Sequence, residues 1–249
     1  MNDFGYYKAI IENLEKVNAT QEENIKEAAK LMTDAIADDR LIHVYGGGGH
    51  TTLPVGEMFF RAGGLSCINP CMETGLSVFN QALKYLELER TVNYGASIIK
   101  YYDLKEDDVL IIFHNIGINP ATIDACMEAK KRGVKIIAVS SAAWQEEMPA
   151  DHFIRHPNKT NLYDYADVKI EDFNPVGDAV VNVPGLDTPI APVSNIVDFY
   201  IAHLLEIETV RQCIERGITP PVWSSANTPG GDEKNAKYLE KYRPRIKML

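Results

Sequence analysis

The chain has 249 residues, of which 45% are apolar and 24% are charged, and its formal net charge is -10. This length and composition predict one large α/β domain with enough apolar side chains for a core. The acidity argues against a nucleic-acid partner, because such binding requires many Lys and Arg side chains that neutralise phosphates. No apolar run approaches the ~20 residues of a membrane span, and the N-terminus does not resemble a signal peptide. We therefore expect a cytoplasmic protein that binds neither nucleic acid nor membrane.

The cysteines give no indication of a disulfide framework or a metal centre. There are four of them and they form no CxxC pair. We expect them to be small, buried side chains of a reduced protein, and we predict neither a metal nor a cofactor.

Two helices are predicted at the start of the chain, over residues 3–37. Apolar residues recur at helical spacing in both halves of this segment. Thr20 is the predicted cap of the second helix, with Glu23 at the capping-box position.

A glycine-rich turn follows the first predicted strand. The apolar run 41–45 leads into Gly46–Gly49, and His50, Thr51 and Thr52 then open a helix over about 52–62. Glycines let the backbone approach a ligand closely, and the N–H groups of a helix start favour an anion. The turn therefore predicts a binding site for an anionic small molecule.

The same pattern of strand, loop and helix recurs further along the chain. A strand over 109–113 is followed by a polar loop over 114–119 and by a helix that begins at Pro120. The remaining predicted elements are an extended stretch 65–70, an interrupted helix 76–102, strands 134–139 and 167–170, a helix 193–213, a loop 219–234 and a tail helix 236–249.

Apolar strands that alternate with helices predict a parallel sheet covered on both faces. Ligands of such sheets bind at the carboxyl ends of the strands, which here brings together the loops after residues 45, 113 and 139. Two nucleotide sites fit poorly. A P-loop requires lysine where this chain has His50, and a dinucleotide site requires an acidic residue near Cys67 and Ile68.

Several segments, in their order and spacing, resemble the sugar isomerase (SIS) domain, and more closely a group of stand-alone SIS proteins of about this length. The resemblance covers the chain from about residue 35 to its end. It is carried by residues 44–52, 57–64, 109–120, 129–140, 162–167, 177–179, 192–194 and 220–233.

The resemblance implies a five-stranded parallel sheet in an α-β-α sandwich with flavodoxin-like topology, a homodimer or homotetramer, and an anionic sugar as ligand. We expect an N-terminal helical extension (1–37), an SIS domain (38–234) and a C-terminal helical tail (235–249). SIS domains hold the phosphate with serines in the loop after the strand that corresponds to 109–113. Here both serines are missing, and His114 and Asn115 are the predicted donors.

An aldose–ketose isomerase needs a base that moves a proton between neighbouring carbons and an acid that opens the ring. The candidate bases are Glu57 and Glu73, and the candidate acids are His50 and His203. The predicted substrate-binding residues are Gly47, Gly48, Gly49, Thr51, Thr52, His114, Asn115, Gly117, Asn119, Ser140 and Ser194.

Four functions are compatible with the predicted site and the SIS resemblance. An isomerase of a phosphorylated or otherwise anionic sugar is favoured. A non-catalytic sugar-phosphate sensor or assembly protein is the alternative from a different class. A sulfo-sugar isomerase fits the lost serines, and a lyase that eliminates an ether from a sugar acid phosphate would also use a glutamate base.

Overall fold

The structure is a computed structural model that describes residues 4–249. The first three residues of the predicted N-terminal extension lie outside the described residues. The helices are α1 (Tyr6–Thr20), α2 (Glu22–Ala37), α3 (Thr52–Met58), α4 (Ala82–Glu89), α5 (Tyr94–Tyr102), α6 (Pro120–Lys131), α7 (Ala142–Glu147), α8 (Ser194–Glu215) and α9 (Gly231–Tyr242). The strands are β1 (Ile42–Gly46), β2 (Ile68–Pro70), β3 (Val109–Phe113), β4 (Lys135–Ser140), β5 (Val168–Glu171), β6 (Ala179–Val181) and β7 (Ile190–Pro192).

The first five strands form one parallel sheet in the order β2-β1-β3-β4-β5, which confirms the predicted five-stranded α/β fold. β1 and β3 pair in register from Ile42 and Val109 to Gly46 and Phe113. In this order the chain leaves β1 in both directions, toward β2 and toward β3. Such a switch point leaves a crevice at the carboxyl ends of the two strands.

The two faces of the sheet bury two separate apolar clusters. Helices α2, α3 and α8 cover one face, where Met32, Met58 and Ile201 pack against the sheet. Helices α5 and α6 cover the other, where Ile99 and Cys126 are fully buried. Strands buried on both faces explain why the apolar runs at 109–113 and 134–139 are continuous rather than alternating.

Several local predictions were wrong at their boundaries. Thr20 is the last residue of α1, its hydroxyl donates to the carbonyl of Lys16, and Gln21 precedes α2 instead. The helix after the glycine turn ends at Met58 rather than near residue 62. The C-terminal helix begins at Gly231 and ends at Tyr242, so it starts inside the predicted loop.

Strands β6 and β7 and helix α7 have no counterpart among the predictions. The antiparallel pair β6–β7 leads into α8, and the six-residue helix α7 follows β4. The segment 219–230 lies against the chain after α3, where the backbone of Trp223 exchanges hydrogen bonds with Gly63 and Gly64.

Candidate functional site

A cavity of about 300 Å³ lies at the carboxyl ends of β1 and β3, and we call it the rim cavity. The turn after β1, the loop after β3, the end of α4 and the start of α8 line it. The predicted site residues that line it are Gly48, Gly49, His50, Thr51, His114, Asn115, Asn119 and Ser194. Those that do not line it are Gly47, Thr52, Glu57, Glu73, Gly117, Ser140 and His203.

The glycine turn is shaped by close packing against its own backbone. A Cβ on Gly46 would lie 2.1 Å from the Thr51 carbonyl oxygen, and one on Gly47 would lie 1.9 Å from Thr122 Oγ1. Thr51 Oγ1 donates to the Gly48 carbonyl at 3.0 Å, and Thr52 Oγ1 donates to the Gly49 carbonyl at 2.7 Å. Both hydroxyl protons therefore close the turn and do not point at a ligand.

The two predicted serines also donate within the protein. Ser140 Oγ lies 2.8 Å from the His114 carbonyl oxygen, and Ser194 Oγ lies 2.9 Å from Asp178 Oδ2. Asp178 Oδ1 accepts the backbone N–H groups of Val193 and Ser194 as well. These serine hydroxyls thus hold the site together and have no free proton for an anion.

The environment of His114 favours the neutral ring, so the side chain would be a neutral donor. Its side chain is buried, and burial lowers its pKa to about 3. The backbone N–H of Gly117 donates to Nδ1 at 2.8 Å, which leaves the proton on Nε2. Nε2 lies 3.2 Å from the position that a Cβ on Gly48 would occupy, so this N–H faces the glycine turn.

The Asn115 amide, the second donor predicted in this loop, is used within the protein. Its Nδ2 lies 2.7 Å from Asp172 Oδ2 and 3.1 Å from both carboxyl oxygens of Asp198. The two protons of one amide are thus given to two buried carboxyl groups. Burial raises the pKa of both Asp172 and Asp198, and the nearby charge of Asp172 raises the pKa of Asp198 further. The pair therefore retains a proton at neutral pH.

Unpartnered polar atoms concentrate in the rim cavity. Buried polar groups in proteins are normally hydrogen-bonded, so such atoms point to a missing ligand or water. Within residues 4–249, five buried side-chain atoms without a hydrogen-bond partner belong to residues that line this cavity. They are Arg90 Nε, Asn119 Nδ2, Asn119 Oδ1, Trp144 Nε1 and Asn174 Oδ1.

Glu89 is the titratable residue that the sequence analysis missed. It is the last residue of α4, it is only 6% exposed, and it lines the rim cavity. Burial raises its pKa to about 7, and Arg90 and the Asn119 amide oppose part of this rise. Its Oε2 lies 2.9 Å from the position of a Cβ on Gly48, close to the N–H of His114. A carboxyl group that titrates near neutrality can accept and return a proton.

The sequence of α4 does not single out Glu89 as a site residue. Glu87, Glu89 and Arg90 read as an ordinary charged helix end, and only the tertiary structure shows that Glu89 alone of the two glutamates is buried. A charged side chain on the inward stripe of a helix is the signal that could have identified it.

Glu57 and His203 meet at a different place. A second cavity of about 570 Å³ is lined by the chain after α3 and by α8, including Arg61, His203 and Glu206. His203 Nε2 lies 3.2 Å from Glu57 Oε1, and His203 Nδ1 lies 3.0 Å from Glu206 Oε2. Arg61 Nε lies 3.0 Å from the same oxygen of Glu57. Burial raises the pKa of Glu206, and the neighbouring His203 lowers it.

The four predicted catalytic residues are therefore not gathered at one site. His50 is exposed at the mouth of the rim cavity, and Glu57 and His203 lie together at the second cavity. Glu73 accepts the backbone N–H of Gly75 at 3.0 Å and lines neither cavity.

Residues 4–249 contain no group of three or more His, Cys, Asp and Glu side chains that could hold a metal ion. No helix in the same part of the chain is long and apolar enough to cross a membrane.

The sheet order and the polar cavity at its switch point define a flavodoxin-like α/β protein with a site for a small ligand. The family model of the SIS domain matches residues 5–141. The chain is 35% identical to the UPF0309 protein of Caldanaerobacter subterraneus subsp. tengcongensis, with 98% of each chain covered. It is 32% identical to the UPF0309 protein of Geobacillus kaustophilus, with 98% of this chain and 95% of that protein covered. The protein belongs to the SIS domain family.

Solved structures share the fold at low sequence identity. A phosphoheptose isomerase from Neisseria gonorrhoeae superposes with a TM-score of 0.53 at 14% identity, over 84% of this chain and 95% of that one. A phosphoheptose isomerase from Francisella tularensis gives a TM-score of 0.53 at 13% identity, over 83% of this chain and 95% of that one. At such identities the similarity establishes the fold alone.

Proposed function

We propose that the protein binds an anionic sugar in the rim cavity and interconverts its aldose and ketose forms. The observation that carries this proposal is that the buried Glu89 lines one cavity together with four residues that carry five unpartnered polar atoms. Membership of the SIS family supports a sugar ligand, and the two structural neighbours named above are phosphoheptose isomerases.

The anionic group of the sugar would lie at the start of α6. This helix begins at Pro120, which has no N–H, and the N–H groups of Thr122 and Ile123 donate to the Asn119 carbonyl, so its first turn keeps only the N–H of Ala121 for an anion. Asn119, which precedes the helix, is 1% exposed, and its amide is close enough to Glu89 to lower the pKa of that carboxyl group. Arg90 brings a guanidinium group to the same cavity.

Glu89 is the proposed base of the reaction. It would take the proton from C2 of the open-chain aldose and return it to C1, while the hydroxyl proton of O2 passes to O1. The C1 carbonyl then becomes a hydroxyl group and the C2 hydroxyl becomes a carbonyl. No oxidant or cofactor is consumed. The Nε2–H of His114 would stabilise the enediolate oxygen, and His50 at the cavity mouth would assist ring opening.

Three variants, Glu89→Gln, Glu73→Gln and Glu57→Gln, test whether Glu89 or another glutamate is the base. Glu89→Gln should lower kcat by about 10²–10⁴-fold with little change in sugar affinity. Glu73→Gln should keep both within about twofold, because Glu73 holds a local turn away from the cavity. The assay is a screen of sugar phosphates and sulfonates by thermal shift, followed by NMR detection of aldose–ketose exchange in D₂O.

The outcomes separate the functions. Sugar binding without exchange in the wild-type protein would favour a sensor or assembly role. Loss of exchange in Glu57→Gln with normal exchange in Glu89→Gln would move the chemistry to the second cavity, where Glu57 and His203 are in contact. A protein that binds no sugar would contradict the proposal as a whole.

We also propose that the protein is a cytoplasmic homodimer. Ile207 and Ile214 are 48% and 63% exposed, and because they are two helical turns apart they lie on one face of α8. This face is the proposed subunit contact. Sedimentation equilibrium at micromolar concentration tests the dimer, and a monomer would contradict it.

A further inference from the structure

The charges around the rim cavity are mostly negative. Glu89 and Asp178 line it, and within residues 4–249 Arg90 is the only Lys or Arg side chain that does so. Behind Asn115, which donates to both, lie the buried carboxyl groups of Asp172 and Asp198, and they add no positive charge that could attract an anion. A ligand with two negative charges would enter this cavity against repulsion.

The groups that could offset a double negative charge are already committed. The protons of Thr51, Ser140 and Ser194 are donated to protein oxygens. Both protons of the Asn115 amide go to carboxyl groups. His114 is neutral and offers one N–H.

Arg90 is placed to hold a single anionic group. Its Nε is buried and has no partner in the described part of the chain, and its guanidinium lies 5.1 Å from the centroid of the Phe153 ring. Asn119, Trp144 and Asn174 supply unpartnered donors and acceptors of no net charge, which suit sugar hydroxyl groups.

We propose that the rim cavity selects a sugar with one negative charge, a carboxylate or sulfonate held by Arg90, over the corresponding phosphate dianion. This inference rests on the proposed function of the same site and names its substrate class.

Isothermal titration calorimetry on sugars that differ only at C6 tests the proposal. The gluco, galacto and manno series would each be measured as the neutral sugar, the uronate, the 6-sulfonate and the 6-phosphate. At pH 8 the phosphate monoester carries two charges, because its second pKa is about 6. In the best-binding series we expect the 6-sulfonate or the uronate to bind at least tenfold more tightly than both the 6-phosphate and the neutral sugar.

Two variants localise the effect. Arg90→Gln should remove the advantage of the monoanion over the neutral sugar, and Arg90→Lys should keep part of it. Asp178→Asn should reduce the difference in affinity between the sulfonate and the phosphate several-fold, because the cavity lining then has one negative charge fewer. Asp151→Asn, on the exposed surface and away from the lining, is the matched control and should leave the gap unchanged.

The results distinguish this inference from the proposed function. A phosphate that binds as tightly as the sulfonate, or a neutral sugar that does so, would overturn the charge selectivity while leaving a sugar site. Failure of every member of all three series to bind would overturn the sugar site and the selectivity together.

Discussion

The backbone N–H of Gly117 donates to Nδ1 of His114 at 2.8 Å, inside the loop that follows β3. Gly117 has a φ of +66°, and a Cβ there would lie 2.7 Å from Ser140 Oγ, so glycine is required for the turn that brings this N–H to the ring. The contact fixes one tautomer of His114, with an acceptor at Nδ1 and a proton at Nε2.

We predict that His114 does not titrate between pH 8 and pH 5. Burial lowers its pKa to about 3, so the ring stays neutral across this range. Nitrogen chemical shifts in a two-dimensional NMR experiment should show an unprotonated Nδ1 and a protonated Nε2 at both pH values. The exposed His50 is the internal comparison in the same spectra. A titration of His114 with a midpoint near 6 would contradict the prediction.

We predict that Asn115→Ala lowers the free energy of unfolding by about 2–4 kcal/mol, because two buried carboxyl groups lose their shared donor. The hydrogen bonds from Asn115 lower the pKa of Asp172 and Asp198, so without them both carboxyl groups of the folded protein bind protons more tightly. The decrease in the free energy of unfolding should therefore be larger at pH 8 than at pH 5. Urea unfolding at the two pH values measures it, and an equal loss at both would show that the carboxyl groups are not involved.

Much of the fold could be predicted from the sequence because the central strands are buried on both faces. The run Val109–Phe113 and the helix from Pro120 to Lys131 match the structure at both ends, since a continuous apolar run and a proline at N1 are strong local signals. The six-residue α7 and the short β6 and β7 carry no comparable periodicity.

The site was harder to predict because its properties depend on partners far away in the chain. Asn115 is a plausible ligand donor until Asp172 and Asp198, 57 and 83 residues later, take its protons. Glu89 becomes a titratable group of interest only because the fold buries it beside the loop of Asn119. Neither burial nor a long-range hydrogen bond is encoded in local spacing.

We predict that the free energy of unfolding of Glu89→Gln, relative to that of the wild type, is higher at pH 8 than at pH 5. Burial raises the pKa of Glu89 to about 7 from 4.5, so the folded state favours the protonated form. This contribution to stability is present at low pH and is lost as the pH rises through 7. The difference in unfolding free energy between variant and wild type should shift by on the order of 2 kcal/mol between the two pH values. Glu87→Gln, on the exposed side of α4, is the control and should show no shift.

Two glycine-to-alanine substitutions in helices should differ in their effect on the free energy of unfolding. Gly95 lies in α5, where a Cβ would be 1.7 Å from the Ala121 carbonyl oxygen of α6. Gly56 lies in α3, where a Cβ would be 3.3 Å from the flexible end of Met72. The Ala121 backbone cannot move aside without separating α5 from α6, whereas the side chain of Met72 can rotate away.

Gly95→Ala should therefore lower the free energy of unfolding by about 3 kcal/mol or more. Gly56→Ala should stay within about 1 kcal/mol of the wild type, because the helix propensity of alanine offsets the small displacement of Met72. Chemical denaturation of both variants measures the pair. Equal stability of the two variants would contradict the prediction, because it would mean that α5 and α6 are not in close contact at Gly95 in solution.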